Sequence, residues 1–182
     1  MPHDVYISVD VETSGPVPGE YSLLSIGACP VERPDQGFYV ELQPDAPGEF
    51  PAALAVSGLD LARLRTEGTP LPEALHTFRT WVNEQAGTDG RPVFVGLNAA
   101  FDWSFINTAF HRYLGHNPFG FAALDIKSLY MGRFGTHWDD TRSSRMRLRF
   151  GLEQANAHHA LADARLQAQL FGLIMRSSPE AL

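Results

Sequence analysis

The stretch SVDVETSGP, residues 8–16, sets Asp10 and Glu12 two positions apart at the end of an apolar, β-prone run. On a strand, side chains at i and i+2 face the same way. Two carboxylates held that close repel, and burial raises the cost of charging them. Such a pair can work as an acid/base couple or as half of a cation site. A solvated strand end carries the same letters, so D-x-E alone is weak evidence.

Two more acidic clusters follow. VFVGLNAAFDWSFI puts Asp102 in the first turns of a helix after a second apolar run, where by itself it would only favour the helix dipole. HHALADA, residues 158–164, pairs Asp163 with His158 and His159. On one continuous helix His158 and Asp163 would point to different faces; they converge if His158 occupies the turn before the helix. His159 can share the helical face of Asp163, so spacing leaves both histidines open. Four acids in one cleft would be prohibitively repulsive without cations, which implies divalent metal. Hard oxygen ligands with no cysteine among them favour Mg²⁺ or Mn²⁺ over zinc.

These side chains need elements to hold them. Residues 4–10 (DVYISVD), 21–31 (YSLLSIGACPV) and 37–43 (GFYVELQ) read as strands. Their short connections, with TSGPVPGE at 13–20 as a loop, favour antiparallel neighbours. From Phe50 to about Gly87 the period is helical, with Leu71, Leu75, Phe78 and Val82 at three-to-four spacing. Pro92–Leu97 is a short apolar run, as in a strand covered on both faces. Asn98 suits the N-cap of the next helix. Residues 121–126 read as a further strand and 160–175 as a closing helix. Three meander strands followed by strands alternating with helices predict a mixed α/β sheet in a single domain, residues 1–182.

Composition narrows the function. The formal charge of −7 argues against coating nucleic acid through bulk positive charge. No apolar run is long enough for a membrane span, and the Met1-Pro2-His3-Asp4 start lacks the basic and apolar regions of a signal peptide. A single Cys29 cannot form an internal disulfide, which suits the cytoplasm, and reads as a small buried residue. TRSSRMRLRFG carries Arg142, Arg145, Arg147 and Arg149. Extended, it would have one apolar and one basic side, and the basic side could meet phosphates.

The ordered set D-x-E-T, N-A-x-F-D and H-x-A-x-x-D-A resembles the DEDDh 3′–5′ exonuclease superfamily, from Val5 to about Leu173. This DnaQ-like group includes proofreading subunits, ribonuclease T and oligoribonuclease. The resemblance implies a ribonuclease H-like fold: a mixed five-stranded sheet, three antiparallel strands and then parallel ones, flanked by helices. It implies His158, not His159, as the catalytic base. It implies Asp10, Glu12, Asp102 and Asp163 as carboxylates holding two ions, Mg²⁺ or Mn²⁺. Phe101, the backbone around Thr13, and Asn98 match the nucleotide-contact regions. Many members carry a His-Gly pair before the second motif; Ser57-Gly58 stands here, which implies a somewhat different hold on the terminal nucleotide if that position contacts the substrate. The implied reaction is hydrolysis at the 3′ end of single-stranded RNA or DNA, releasing nucleoside monophosphates. The chain ends at Leu182, soon after the last helix, which leaves little room for a polymerase-binding tail and tilts the expectation toward short RNA. A proofreading-type DNA exonuclease is the alternative. A non-catalytic nucleic-acid-binding module ranks lower, since all four acids and the histidine are present. The free-standing relatives imply a homodimer.

Overall fold

The computed structural model describes residues 3–153 and 158–178; Met1, Pro2 and the Leu182 terminus read above lie outside them. Strands β1 (His3–Thr13), β2 (Leu23–Pro30) and β3 (Phe38–Glu41) form the expected meander. Three helices follow, α1 (Pro51–Ser57), α2 (Leu61–Glu67) and α3 (Leu71–Ala86). Gly58 ends α1 at φ 65°, where a glycine pays no side-chain penalty, and the Asp60 carboxylate caps α2 by accepting from Ala62 N and Arg63 N. Then come β4 (Gly90–Gly96), α4 (Ala99–Leu114), β5 (Ala123–Asp125) and α5 (Ile126–Phe134). A 3₁₀ turn (Trp138–Thr141), α6 (Ser143–Phe150) and α7 (Ala160–Arg176) complete the described chain.

The sheet order is β3-β2-β1-β4-β5. β1 is antiparallel to β2 and parallel to β4, and β4 is parallel to β5. The fold is therefore the ribonuclease H-like mixed sheet with β1 at its centre. Alternation along β1 assigns its side chains to two layers. Ile7, Val9 and Val11 join the core under α3 and α4, with Phe78, Phe94 and Phe110. Tyr6 faces the other way and packs on Phe171 of α7, ring centroids 5.1 Å apart. Asp10 and Glu12 share the parity of Tyr6, so the strand carries both carboxylates to the α7 side.

Cys29 is fully buried, as a small apolar residue would be. Among the described residues no helix is long and apolar enough to cross a membrane.

Candidate active site

The fold brings all three sequence clusters to one end of β1. The β1–β4 ladder stops at Ser8–Val95, while β1 runs on against β2 to a bulge between Glu12 and Thr13. Bulges bend a strand and re-aim its side chains. Past Ser8 the free edge of β1 is taken by Asp102: its Oδ1 accepts from Val11 N at 3.0 Å. Asp102, in the first turn of α4 and 5% exposed, therefore docks that helix between the two acids of β1.

α7 arrives from the opposite face. Asp10 pairs across the sheet with Gly27 of β2, and a Cβ on Gly27 would collide with the Ala160–Leu161 peptide. The missing side chain lets the start of α7 rest directly on the sheet, beside Asp10. Asp163 then reaches back: its Oδ2 accepts from His158 N at 2.9 Å.

The two histidines separate. His158 sits before α7 in the left-handed region, φ 71°, as the turn-before-helix expectation requires. One ligating atom each from His158, Glu12 and Asp163 lie within 4.8 Å of one another. His159 instead occupies the N-cap position of α7 without a side-chain cap bond and stacks on Tyr39 of β3, centroids 4.3 Å apart.

Electrostatics follow from this crowding. Burial, then Asp102, Glu12 and Asp163, hold the Asp10 carboxyl well above its ordinary range. Burial and Asp163 push Glu12 up to about 7. Burial lifts Asp102 to about 7 despite the Val11 N–H bond, with Glu12 and Asp125 adding to the rise. Carboxyls in this state take up protons or cations. Two carboxylates within reach of each other, Glu12 and Asp163, make an oxygen pair that fits a hard divalent ion, with the His158 imidazole beside them. The fit rests on donor chemistry, and Asp10 stands next to it.

Beside Glu12 opens a cavity of about 370 Å³, lined by Thr13, Phe50, Val56 and Phe101 among others, mostly apolar. The Ser14 carbonyl accepts from Phe50 N at 2.7 Å, which fixes the start of α1 against the end of β1 and makes α1 one wall. Thr13 and Phe101 thus face the cavity. Ser57 and Asn98 do not line it: Ser57 Oγ bonds Leu54 O and Leu59 N within its own turn, and Asn98 is exposed.

Some expectations change. Asn98 occupies the cap position at φ 64° with no side-chain cap bond. The cap comes from Asp125, whose Oδ2 accepts from Ala99 N at 2.8 Å while its Oδ1 accepts from Ser128 N at 2.7 Å. The arginine segment is helical, not extended, so the strand-like split into one apolar and one basic side does not form. Arg142 and Arg145 pair with Asp139 and Asp140, and Arg149 lies over the Phe134 ring at 4.0 Å. Asp125, Phe50, Val56 and Gln167 were not singled out from sequence. The D-x-x-S spacing of Asp125 and Ser128 was a legible cap signal; an exposed Phe before a proline-started helix carries none.

Comparison with known proteins agrees with the geometry. Residues 5–175 match the family described as 3'-5' exoribonuclease Rv2179c-like domain. The chain is 50% identical over 175 residues to the 3'-5' DNA exonuclease Cap18 of Escherichia coli, covering 96% of this chain and 94% of that one. It is 32% identical over 180 residues to ribonuclease T of Baumannia cicadellinicola, covering 91% and 80%. In structure it resembles the nuclease domain of 3'hExo, a DEDDh family member solved with rAMP: TM-score 0.77, 12% identity, 97% and 94% covered. It spans 65% of the 3'-exonuclease chain solved for histone mRNA stem-loop recognition, TM-score 0.78 at 12% identity and 97% of this chain. The chain belongs to the Rv2179c-like 3'-5' exoribonuclease domain family and is a 3′–5′ exonuclease.

Proposed function

We propose that this exonuclease removes nucleoside monophosphates one at a time from single-stranded 3′ ends, of RNA and DNA alike, using two Mg²⁺ or Mn²⁺ ions. The observation that carries the reading is the convergence of Glu12, His158 and Asp163 within 4.8 Å beside an apolar cavity.

Asp10, Glu12, Asp102 and Asp163 would hold the ions, Asp102 indirectly. Bound there, such ions would supply Lewis acidity to water and offset charge on the phosphate and the leaving oxygen. His158 takes the proton of the attacking water, the work of a positioned imidazole. Its N–H bond to Asp163 fixes the imidazole's backbone. Water adds to the terminal phosphorus, the penultimate 3′ oxygen leaves, and a 5′-monophosphate departs.

The cavity supplies the grip. An apolar wall of Phe50, Val56 and Phe101 binds any base by stacking or contact, which suits cleavage without sequence preference. Glu12 and Thr13 bring the polar side chains among the lining residues, and the Thr13 hydroxyl already donates to Gly15 O at 2.9 Å. Among the described lining residues that leaves no side chain dedicated to a 2′-hydroxyl, which supports including both polymers. The relative at 50% identity, named a DNA exonuclease, favours DNA as a second reading.

The test is 3′ laddering of matched, 5′-labelled RNA and DNA strands across a Mg²⁺ titration. Ladders on both polymers, absent in EDTA, are expected. Digestion from the 5′ end, or internal cuts, would overturn the reading.

A further inference from the structure

Gln167 lies one turn beyond Asp163 on α7, in the face that otherwise buries Ala164, Ala168, Phe171 and Ile174. It is 5% exposed, and a long polar side chain buried among apolar ones requires partners. Both exist. Nε2 donates to Asp10 Oδ1 at 2.5 Å, and Oε1 accepts from Leu97 N at 3.0 Å. The amide can face only one way, because the Leu97 N–H solely donates and so takes Oε1, which leaves Nε2 for Asp10.

We propose that Gln167 is a positioning residue of the hydrolytic centre: it fixes the rotation of the Asp10 carboxylate and leaves Oδ2 free for bound cations. The proposal rests on the reading of Asp10 as a metal ligand.

Three further points support it. The two bonds close a ring through the site. Asp10 is tied to Gln167, Gln167 to Leu97, and Leu97 leads through Asn98 into α4, whose Asp102 returns to Val11 beside Asp10. The amide thereby links α7, β1 and the β4–α4 turn at the level of the acids. Charge explains the residue type as well. A lysine or arginine there would also donate to Asp10, but its positive charge would compete with a cation. An aliphatic residue would leave Leu97 N–H buried without a partner and Asp10 free to turn. A neutral amide alone donates to the carboxylate and accepts from the backbone without adding charge. Lastly, the spacing from Asp163 puts both side chains on one helical face, so a single helix delivers a ligand and the residue that orients its neighbour.

The experiment is Mn²⁺ calorimetry on the full chain with Gln167→Met, which keeps the volume and removes both bonds. Mn²⁺ binding weaker by ~10–100-fold is expected, the range found when partners of metal ligands are removed. On a labelled single strand, kcat should fall while KM stays within about threefold. A purely structural role would lower the melting temperature in EDTA and leave the Mn²⁺ affinity of the folded variant alone. An affinity within about twofold of the parent therefore overturns the assignment. If Gln167→Met does not fold, Gln167→Asn, one methylene short of bridging both partners, takes the same criterion. Should the parent protein itself bind no Mn²⁺, the metal-centre reading fails, which is distinguishable from failure of Gln167 alone.

Discussion

Raising the pH from 5 to 8 in EDTA should destabilise this protein, and a divalent cation should abolish the loss. Glu12 shows why. Burial and the Asp163 charge raise its carboxyl from an ordinary 4.5 to about 7. Between those values the unfolded chain has released this proton and the folded chain still holds it. Stability falls with pH wherever the folded state binds more protons. The contribution is thus complete below about pH 4.5 and is lost as pH rises through about 7. At 1.36 kcal/mol per decade of proton activity, the loss from Glu12 is ~3 kcal/mol. Asp10 and Asp102 act with the same sign. For a domain of this size ~3 kcal/mol corresponds to a melting shift of roughly 6–12 °C. The assay is scanning calorimetry at pH 5, 6, 7 and 8, with EDTA or with excess Mn²⁺, on the parent and Glu12→Gln. The parent should melt progressively lower in EDTA, the variant should show a shallower slope, and Mn²⁺ should restore the parent at pH 8. A melting temperature that is flat or rises with pH in EDTA would refute the picture of four crowded, desolvated acids.

Three further outcomes are expected. His158→Ala should lower kcat by ~10²–10⁴, the usual worth of a positioned proton acceptor, with Mn²⁺ affinity by calorimetry changed only slightly. Gly27→Ala drives a methyl into the Ala160–Leu161 peptide; it should cost ~1–3 kcal/mol of stability by denaturant titration, and weaken Mn²⁺ binding because Asp163 moves with α7. Phe101→Ala should raise KM for a single-stranded 3′ end, with little change in Mn²⁺ affinity, as read by steady-state kinetics across oligonucleotide concentrations.

The sequence made the site more legible than the elements around it. Asp10 and Glu12 declared a shared face because strand parity is rigid, and β1 keeps that parity from Tyr6 onward. His158 against His159 was undecidable from spacing: the choice turns on a left-handed residue at φ 71°, a conformation that histidine letters do not announce. The resemblance implied His158, and the structure places the two rings in different company. α6 escaped notice because alternating arginines and apolar residues imitate a strand, whereas Met146 is the buried anchor of a helix. Asn98 looked like a cap from its residue type alone, yet the carboxylate that takes Ala99 N comes from Asp125 on another element. Gln167 was hidden for the same reason. Its partners are remote in sequence, and a lone glutamine on an apolar stripe gives no sign of what it meets.

What forces four acids together is packing on both sides of the sheet. α4 is held by the cluster around Phe78 and Phe110, α7 by the one around Phe171 and Ile174, and neither helix can retreat without opening a core. Removing a large side chain from such a core costs ~2–5 kcal/mol, which is comparable with the ~3 kcal/mol that ionising Glu12 takes away at neutral pH. The folded chain therefore tolerates the acidic cage instead of relaxing it. A ligand at about 100 times its dissociation constant stabilises a fold by ~2.7 kcal/mol, close to the same figure. Cation binding at that level would return what the cage removes, so the energy that keeps the acids crowded becomes affinity for the ions that neutralise them.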